Sequence, residues 1–217
     1  MDKETQRYFY IAVSLLITFL LWTIAVCFID VRMVGPQDSS VGFASINQFF
    51  HNMTGVHMSL YTITDWLGLV PVGFGFGFAI IGLIQWIKRK SLAKVDGSIL
   101  LLGGFYILVI IAYIFFEEVV INYRPVLING TLEASYPSST TTLVMCVMPT
   151  AIIQLNSRIK NLSMRKCLSY FISIFIIFMV AGRLISGVHW FSDIIGGGLL
   201  SSGLVILYYS FYRFVQQ

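Results

Sequence analysis

The chain has 217 residues, 57% of them hydrophobic and only 11% charged, with a formal net charge of +4. A water-soluble domain carries about a quarter charged residues, so this composition excludes an ordinary soluble globular protein and points to an integral membrane protein. Nothing in the charge pattern suggests nucleic-acid binding.

The first apolar block, Tyr8 to Ile29, is too long for the core of a cleavable signal peptide and lacks an A-x-A-like exit, so it reads as a membrane span. A span needs about 20 apolar residues. Six such blocks follow one another, at about 8–29, 66–87, 98–121, 138–155, 167–187 and 191–212. The expected fold is all-α, a polytopic bundle of six transmembrane helices forming one integral membrane domain over 1–217.

Flanking charge sets the orientation, because Lys and Arg accumulate on the cytoplasmic side. With both termini cytoplasmic, eleven of the fourteen Lys and Arg fall inside, from Lys3 and Arg7 through Lys88–Lys94 and Arg158–Lys166 to Arg213. Arg32, Arg124 and Arg183 fall outside. Snorkelling would explain Arg124 and Arg183 as headgroup anchors, but neither sits in an ordinary basic flank.

Between the first two spans lies a segment, 30–65, that ends in an aromatic, partly amphipathic run from Phe43 to Trp66. It reads equally as an interfacial helix or as a loop packed over the bundle. His51 and His57 lie in it without the acid or cysteine spacing of a metal site. Cys27, Cys146 and Cys167 share no ligand spacing either and read as packing residues.

The chemistry concentrates in two outer-side segments. The first runs from Glu117-Glu118 through Arg124-Pro125 to Pro137-Ser138-Ser139-Thr140. A proline followed by small hydroxyl residues starts a helix, and the free N–H groups of a helix N-terminus bind anions. The second is Arg183-Leu-Ile-Ser-Gly-Val-His189-Trp-Phe-Ser-Asp193, followed by Gly196-Gly197-Gly198. On a helix, His189 and Asp193 would share a face, so the carboxylate could orient the imidazole. The three glycines suit close helix packing. Ionisable groups inside an apolar stretch are costly and mark function. Two arginines, a helix N-terminus and an oriented histidine on one membrane surface describe phosphoryl transfer, with the arginines holding phosphate oxygens and the histidine attacking phosphorus.

These residues resemble the type 2 phosphatidic acid phosphatase superfamily of membrane lipid phosphatases. That family carries Lys-x6-Arg-Pro, Pro-Ser-x-His and Ser-Arg-x5-His-x3-Asp. Here the third motif is Gly182-Arg183, five residues, His189, three residues, Asp193. Arg124-Pro125 matches the end of the first motif and Pro137-Ser138 the start of the second. The resemblance implies that His189 is the nucleophile, forming a phosphohistidine without metal or cofactor, that Asp193 orients it, and that Arg183 binds phosphate. Arg124 and the Ser138-Ser139-Thr140 helix start would complete the phosphate cradle.

Two positions depart from the pattern. Glu117 stands where the first motif has lysine, and it would repel phosphate unless it pairs with an arginine or faces away. Thr140 stands where the second motif has the histidine that protonates the leaving oxygen. The resemblance thus implies a phosphatase acting on a lipid phosphate or a polyprenyl diphosphate, whose phosphate leaving group needs less acid help. The alternative is a decayed relative that binds or transports a phosphorylated lipid. A transporter with an acid–base pair on its path fits less well, since the ionisable groups cluster at one surface. The expected location is a bacterial plasma membrane, with the site facing outward.

Overall fold

The computed structural model describes residues 1–216; of the single domain expected over 1–217, Gln217 lies outside the described residues. The fold is all-α. Helix α1 spans Lys3–Phe28, α2 Ala44–Thr54, α3 Met58–Leu67, α4 Leu69–Arg89, α5 Gly97–Glu118, α6 Ser139–Arg158, α7 Leu162–Ile185 and α8 Phe191–Val215. A two-residue antiparallel ribbon, β1 (Arg32–Met33) with β2 (Ser40–Val41), decorates the first loop. In an apolar medium backbone groups must be satisfied within the segment, which is why long apolar blocks resolve into helices. Polar caps start them: Asp2 accepts from the Thr5 N–H at 2.7 Å and Asn161 from the Met164 N–H at 3.0 Å.

Among the described residues, five segments are long and apolar enough to cross a membrane: Lys3–Phe28, Met58–Arg89, Gly97–Glu118, Leu162–Ile185 and Phe191–Val215. The expected fourth span, α6, is 20 residues long but carries Thr141, Thr142, Thr150 and Gln154 on buried positions. It packs among α8, α7, α4 and α5. A helix enclosed by others satisfies polar side chains inside the bundle and has no need of a lipid-facing apolar surface. Gln154, for instance, donates to the Ser98 carbonyl at 3.0 Å. Outward-facing apolar side chains such as Leu21, Ile24, Phe171, Ile174 and Ile177 form the surface a membrane would cover.

Helix α8 is the axis of the bundle, packed on α1, α6 and α5. Its glycines explain part of that closeness. A Cβ on Gly196 would lie 2.5 Å from the Tyr136 ring, and one on Gly197 would lie 3.2 Å from the Ser138 carbonyl, whereas Gly198 has open space. Tyr136 cannot yield easily: it stacks on Phe19 and shares a 2.7 Å hydrogen bond with Thr23. Of the three cysteines read as packing residues, only Cys146 is buried; Cys27 and Cys167 are exposed on outward helix faces.

The segment between α1 and α4 combines both expected forms. Helix α2 packs on the start of α8, with Phe50 stacked on Phe191 at 4.1 Å, while Ile46, Phe49 and Met53 are exposed. The α2–α3 junction sits on the loop after α7, where Gly187 has φ +68 and a Cβ would fall 1.9 Å from the Gly55 carbonyl oxygen.

Replacing Gly196 by alanine should therefore destabilise the protein by about 1–3 kcal/mol through overpacking against Tyr136. Gly198→Ala should be neutral or slightly stabilising, as a helix interior favours alanine. Melting of the two variants in detergent checks the contrast.

Candidate active site

A hairpin places one half of the site. Asn129-Gly130 at a tight turn, with positive φ of 50 and 79, folds the segment after α5 back on itself. Asn-Gly is the dipeptide that such turns favour. The turn sets Tyr123 opposite Ala134, with the Arg124 N–H donating to the Glu133 carbonyl at 3.0 Å and the Ser135 N–H to the Asn122 carbonyl at 2.9 Å. Asn122, Arg124 and Ser135 thereby become neighbours. Ser138 then caps α6: its side chain accepts from the Thr141 N–H at 3.5 Å, and its own N–H donates to the Asp193 carbonyl at 3.1 Å.

The other half is the turn between α7 and α8. His189 precedes α8 rather than lying on it, and Asp193 sits in the first turn of α8. The four-residue spacing acts through a helix cap, not through one helical face. The Asp193 carboxylate accepts from the Trp190 N–H at 2.9 Å and from Asn122 Nδ2 at 3.2 Å. Its Oδ2 lies 3.9 Å from His189 Nδ1, beyond hydrogen-bond reach. Ser135 Oγ stands between them, 3.0 Å from Nδ1 and hydrogen-bonded to Oδ2. Arg124 Nη1 lies 3.4 Å from His189 Nε2.

Neither arginine snorkels. Arg124 is 8% exposed and Arg183 is 1% exposed. Arg183, in the last turn of α7, places Nη1 3.4 Å from Thr64 Oγ1 and 3.7 Å from the Asp65 carboxylate. Arg124 Nε lies 3.1 Å from the Glu133 carboxylate but is not aligned to donate to it. The Tyr61 ring serves both guanidinium groups, 4.9 Å from Arg183 and 5.9 Å from Arg124. The Nε of Arg183 is buried with no partner. The carboxylates beside the arginines are thus Asp65 and Glu133. Glu117 is exposed and lines a cavity of about 360 Å³ with Ser135, Ser139 and Thr140.

The structure therefore brings Arg124, His189 and Asp193 into one cluster with Arg183 close by. Ser138 is fully buried as a helix cap, and Ser139 and Thr140 face the adjoining cavity. Sequence reasoning missed Ser135, Asn122, Glu133, Tyr61 and Asp65. Asn129-Gly130 was the available signal for the first three, because a hairpin there sets 122–124 against 133–135. Among the described residues no group of three His, Cys, Asp or Glu side chains converges as a metal site.

Burial holds the His189 imidazole well below its usual range of 6.5, and the charges of Arg124 and Arg183 push it further down. The ring is therefore neutral at neutral pH. The unfolded chain binds a proton on this ring near pH 6.5 that the folded state refuses. Stability from this group is present above that pH and lost as pH falls through it. Acidification from about pH 7.5 to about pH 5.5 should lower the melting temperature of the wild type more than that of His189→Gln.

Comparison with known proteins places the fold and the family. The sequence matches the profile described as PAP2 superfamily over residues 72–217. None of the curated proteins matches the sequence. Among solved structures, the fold is similar to the crystal structure of a transmembrane PAP2-type phosphatidylglycerolphosphate phosphatase from Bacillus subtilis. The TM-score is 0.60 at 19% identity, covering 92% of this chain and 93% of that one. With the family profile spanning two thirds of its length, this chain, an integral membrane protein, belongs to the PAP2 superfamily.

Proposed function

We propose that the protein is a membrane phosphatase that hydrolyses a lipid phosphate or polyprenyl diphosphate through a phosphohistidine on His189. One observation carries the reading: a buried, neutral imidazole presents Nε2 towards a permanently cationic donor, Arg124 Nη1, at 3.4 Å. An arginine there can only donate, so Nε2 holds its lone pair. Phosphate oxygens arriving between Arg124 and the unpartnered Nε of Arg183 would bring phosphorus to that lone pair.

In the first step the Nε2–P bond forms as the P–O bond to the lipid breaks, and the arginines stabilise the charge spread over the equatorial oxygens. In the second step water forms a P–O bond as the N–P bond breaks, releasing orthophosphate and restoring the neutral ring. No metal is needed in either step. The N-terminus of α6, with Ser139 and Thr140 facing the cavity, is a second source of donors for the anion. Along its apolar length that cavity is lined by Leu69, Val72, Ile110, Phe116 and Leu143. It would take the lipid chain beside the phosphate site.

Thr140 lines the cavity at the position where the family's second motif has its proton donor, and threonine does not supply a proton near neutral pH. This favours a leaving group that departs unaided, such as the polyprenyl phosphate monoester expelled when the terminal phosphorus of a polyprenyl diphosphate is attacked. The same observation supports a second reading, a relative that binds or moves a phosphorylated lipid. The buried His189 favours turnover, since binding alone has no use for a desolvated neutral imidazole.

The placement follows from charge. The site lies at the end of the bundle opposite the basic clusters at Lys3–Arg7, Lys88–Lys94 and Arg158–Lys166. By the positive-inside rule the bundle crosses six times, with α6 as the enclosed span and both termini cytoplasmic. The site then faces outward, away from the cytoplasm.

Phosphate release in detergent with EDTA present tests the reading. The panel is phosphatidic acid, phosphatidylglycerol phosphate and a polyprenyl diphosphate. Turnover should be fastest on the diphosphate and vanish in His189→Ala. Supplying an acid with Thr140→His should raise turnover of the monoesters by at least about tenfold. Silence across the panel, from folded protein that binds lipid phosphate, would favour the binding reading.

A further inference from the structure

Asp193 reaches His189 only through a third side chain. The direct Nδ1–Oδ2 separation is 3.9 Å, while Ser135 Oγ is 3.0 Å from Nδ1 and within hydrogen-bond distance of Oδ2. A hydroxyl has one hydrogen, and a carboxylate can only accept. Ser135 must therefore donate to Asp193, which leaves its lone pair to accept from Nδ1–H. Arg124 Nη1, 3.4 Å from Nε2, is compatible with the same tautomer, but at that distance it is a weak contact that does not fix the ring by itself.

The hydroxyl is also placed rigidly. Ser135 is 2% exposed, and its backbone is locked to Asn122 in the hairpin. Asp193 is held apart from the ring by its bonds to the Trp190 N–H and Asn122 Nδ2.

We propose that Ser135 is a positioning residue: it holds His189 in the Nδ1–H tautomer and couples the ring to Asp193, so that Nε2 is the nitrogen free to attack. The proposal rests on the reading of His189 as the phosphorylated nucleophile. When the Nε2–P bond forms and the P–O bond breaks, the ring becomes cationic and keeps its Nδ1 proton. The Ser135 dipole then carries the stabilising influence of the carboxylate to Nδ1. No proton leaves the ring, and the charge is discharged when water releases the phosphate.

The test has two arms. In the first, the protein is labelled with ¹⁵N-histidine; it has three histidines, and His189 is assigned by its loss in His189→Gln. Wild-type His189 should show a protonated Nδ1 and a bare Nε2. Ser135→Ala should lose that single tautomer, and Ser135→Thr, which keeps the hydroxyl, should retain it. An Nε2–H tautomer in the wild type, or an unchanged one in folded Ser135→Ala, would overturn the proposal. The wild-type spectrum decides by itself if the alanine variant does not fold.

In the second arm, on whichever lipid phosphate the wild type turns over, Ser135→Ala should lower kcat by about 10²–10³-fold with little change in KM, and threonine should recover most of it. A loss confined to KM would contradict a positioning role. Silence of the wild type on every lipid phosphate would sink the functional reading, while the tautomer measurement would still judge Ser135.

Discussion

The site depends on a carboxylate that water does not reach. Asp193 is 0% exposed, and a buried charge is tolerable only when its lone pairs are filled. It fills them with the Trp190 N–H, Asn122 Nδ2 and Ser135 Oγ, drawn from the α7–α8 turn and the two strands of the hairpin. The carbonyl of the same residue accepts from the Ser138 N–H at the cap of α6. One residue thus ties the beginning of α8 to the beginning of α6 and to the hairpin that carries Arg124. Leaving such a charge without a partner costs about 3–5 kcal/mol, so the loops that supply these donors are held to the site.

The arginines pose the complementary problem. Two guanidinium groups buried near one neutral imidazole repel each other, and the Tyr61 face with the Asp65 and Glu133 carboxylates offsets that repulsion. The compensation is incomplete: the Nε donors of both arginines are buried without an aligned partner. A buried donor left unmade costs about 1–3 kcal/mol, so the pair is strained towards any anion that supplies oxygens. On the proposed function, a phosphate group would answer that need in a way the carboxylates beside them do not. Glu117 lines the cavity, and the carboxylates beside the arginines are instead Asp65 and Glu133.

Much of this was legible in the sequence, and the residues that were not share a cause. Five of the six expected spans coincide with apolar helices, displaced at their ends because polar caps such as Asp2 and Asn161 extend a helix beyond its apolar block. The block at 138–155 is helical too, but its enclosed position excuses a polar composition that lipid contact would forbid. Arg183, His189 and Asp193 were legible because their spacing is local. The mode of contact was not: a cap and a bridging serine replace the helical face, and Ser135 is 54 residues from His189 in sequence. Long-range neighbours of this kind follow from a turn, here Asn129-Gly130, whose consequence appears only when both strands are followed past it. Glu133 and Asp65 escaped for the same reason, since each meets its arginine through tertiary packing and not through spacing.

The central claim is that phosphorus is transferred to His189, and trapping the transfer tests it most directly. Rapid quenching of the protein with ³²P-labelled lipid phosphate, followed by mapping of the labelled peptide, should place an acid-labile, alkali-stable label on His189 and none in His189→Ala. A protein that releases phosphate without labelling His189, or that carries the label on another side chain, would contradict the account.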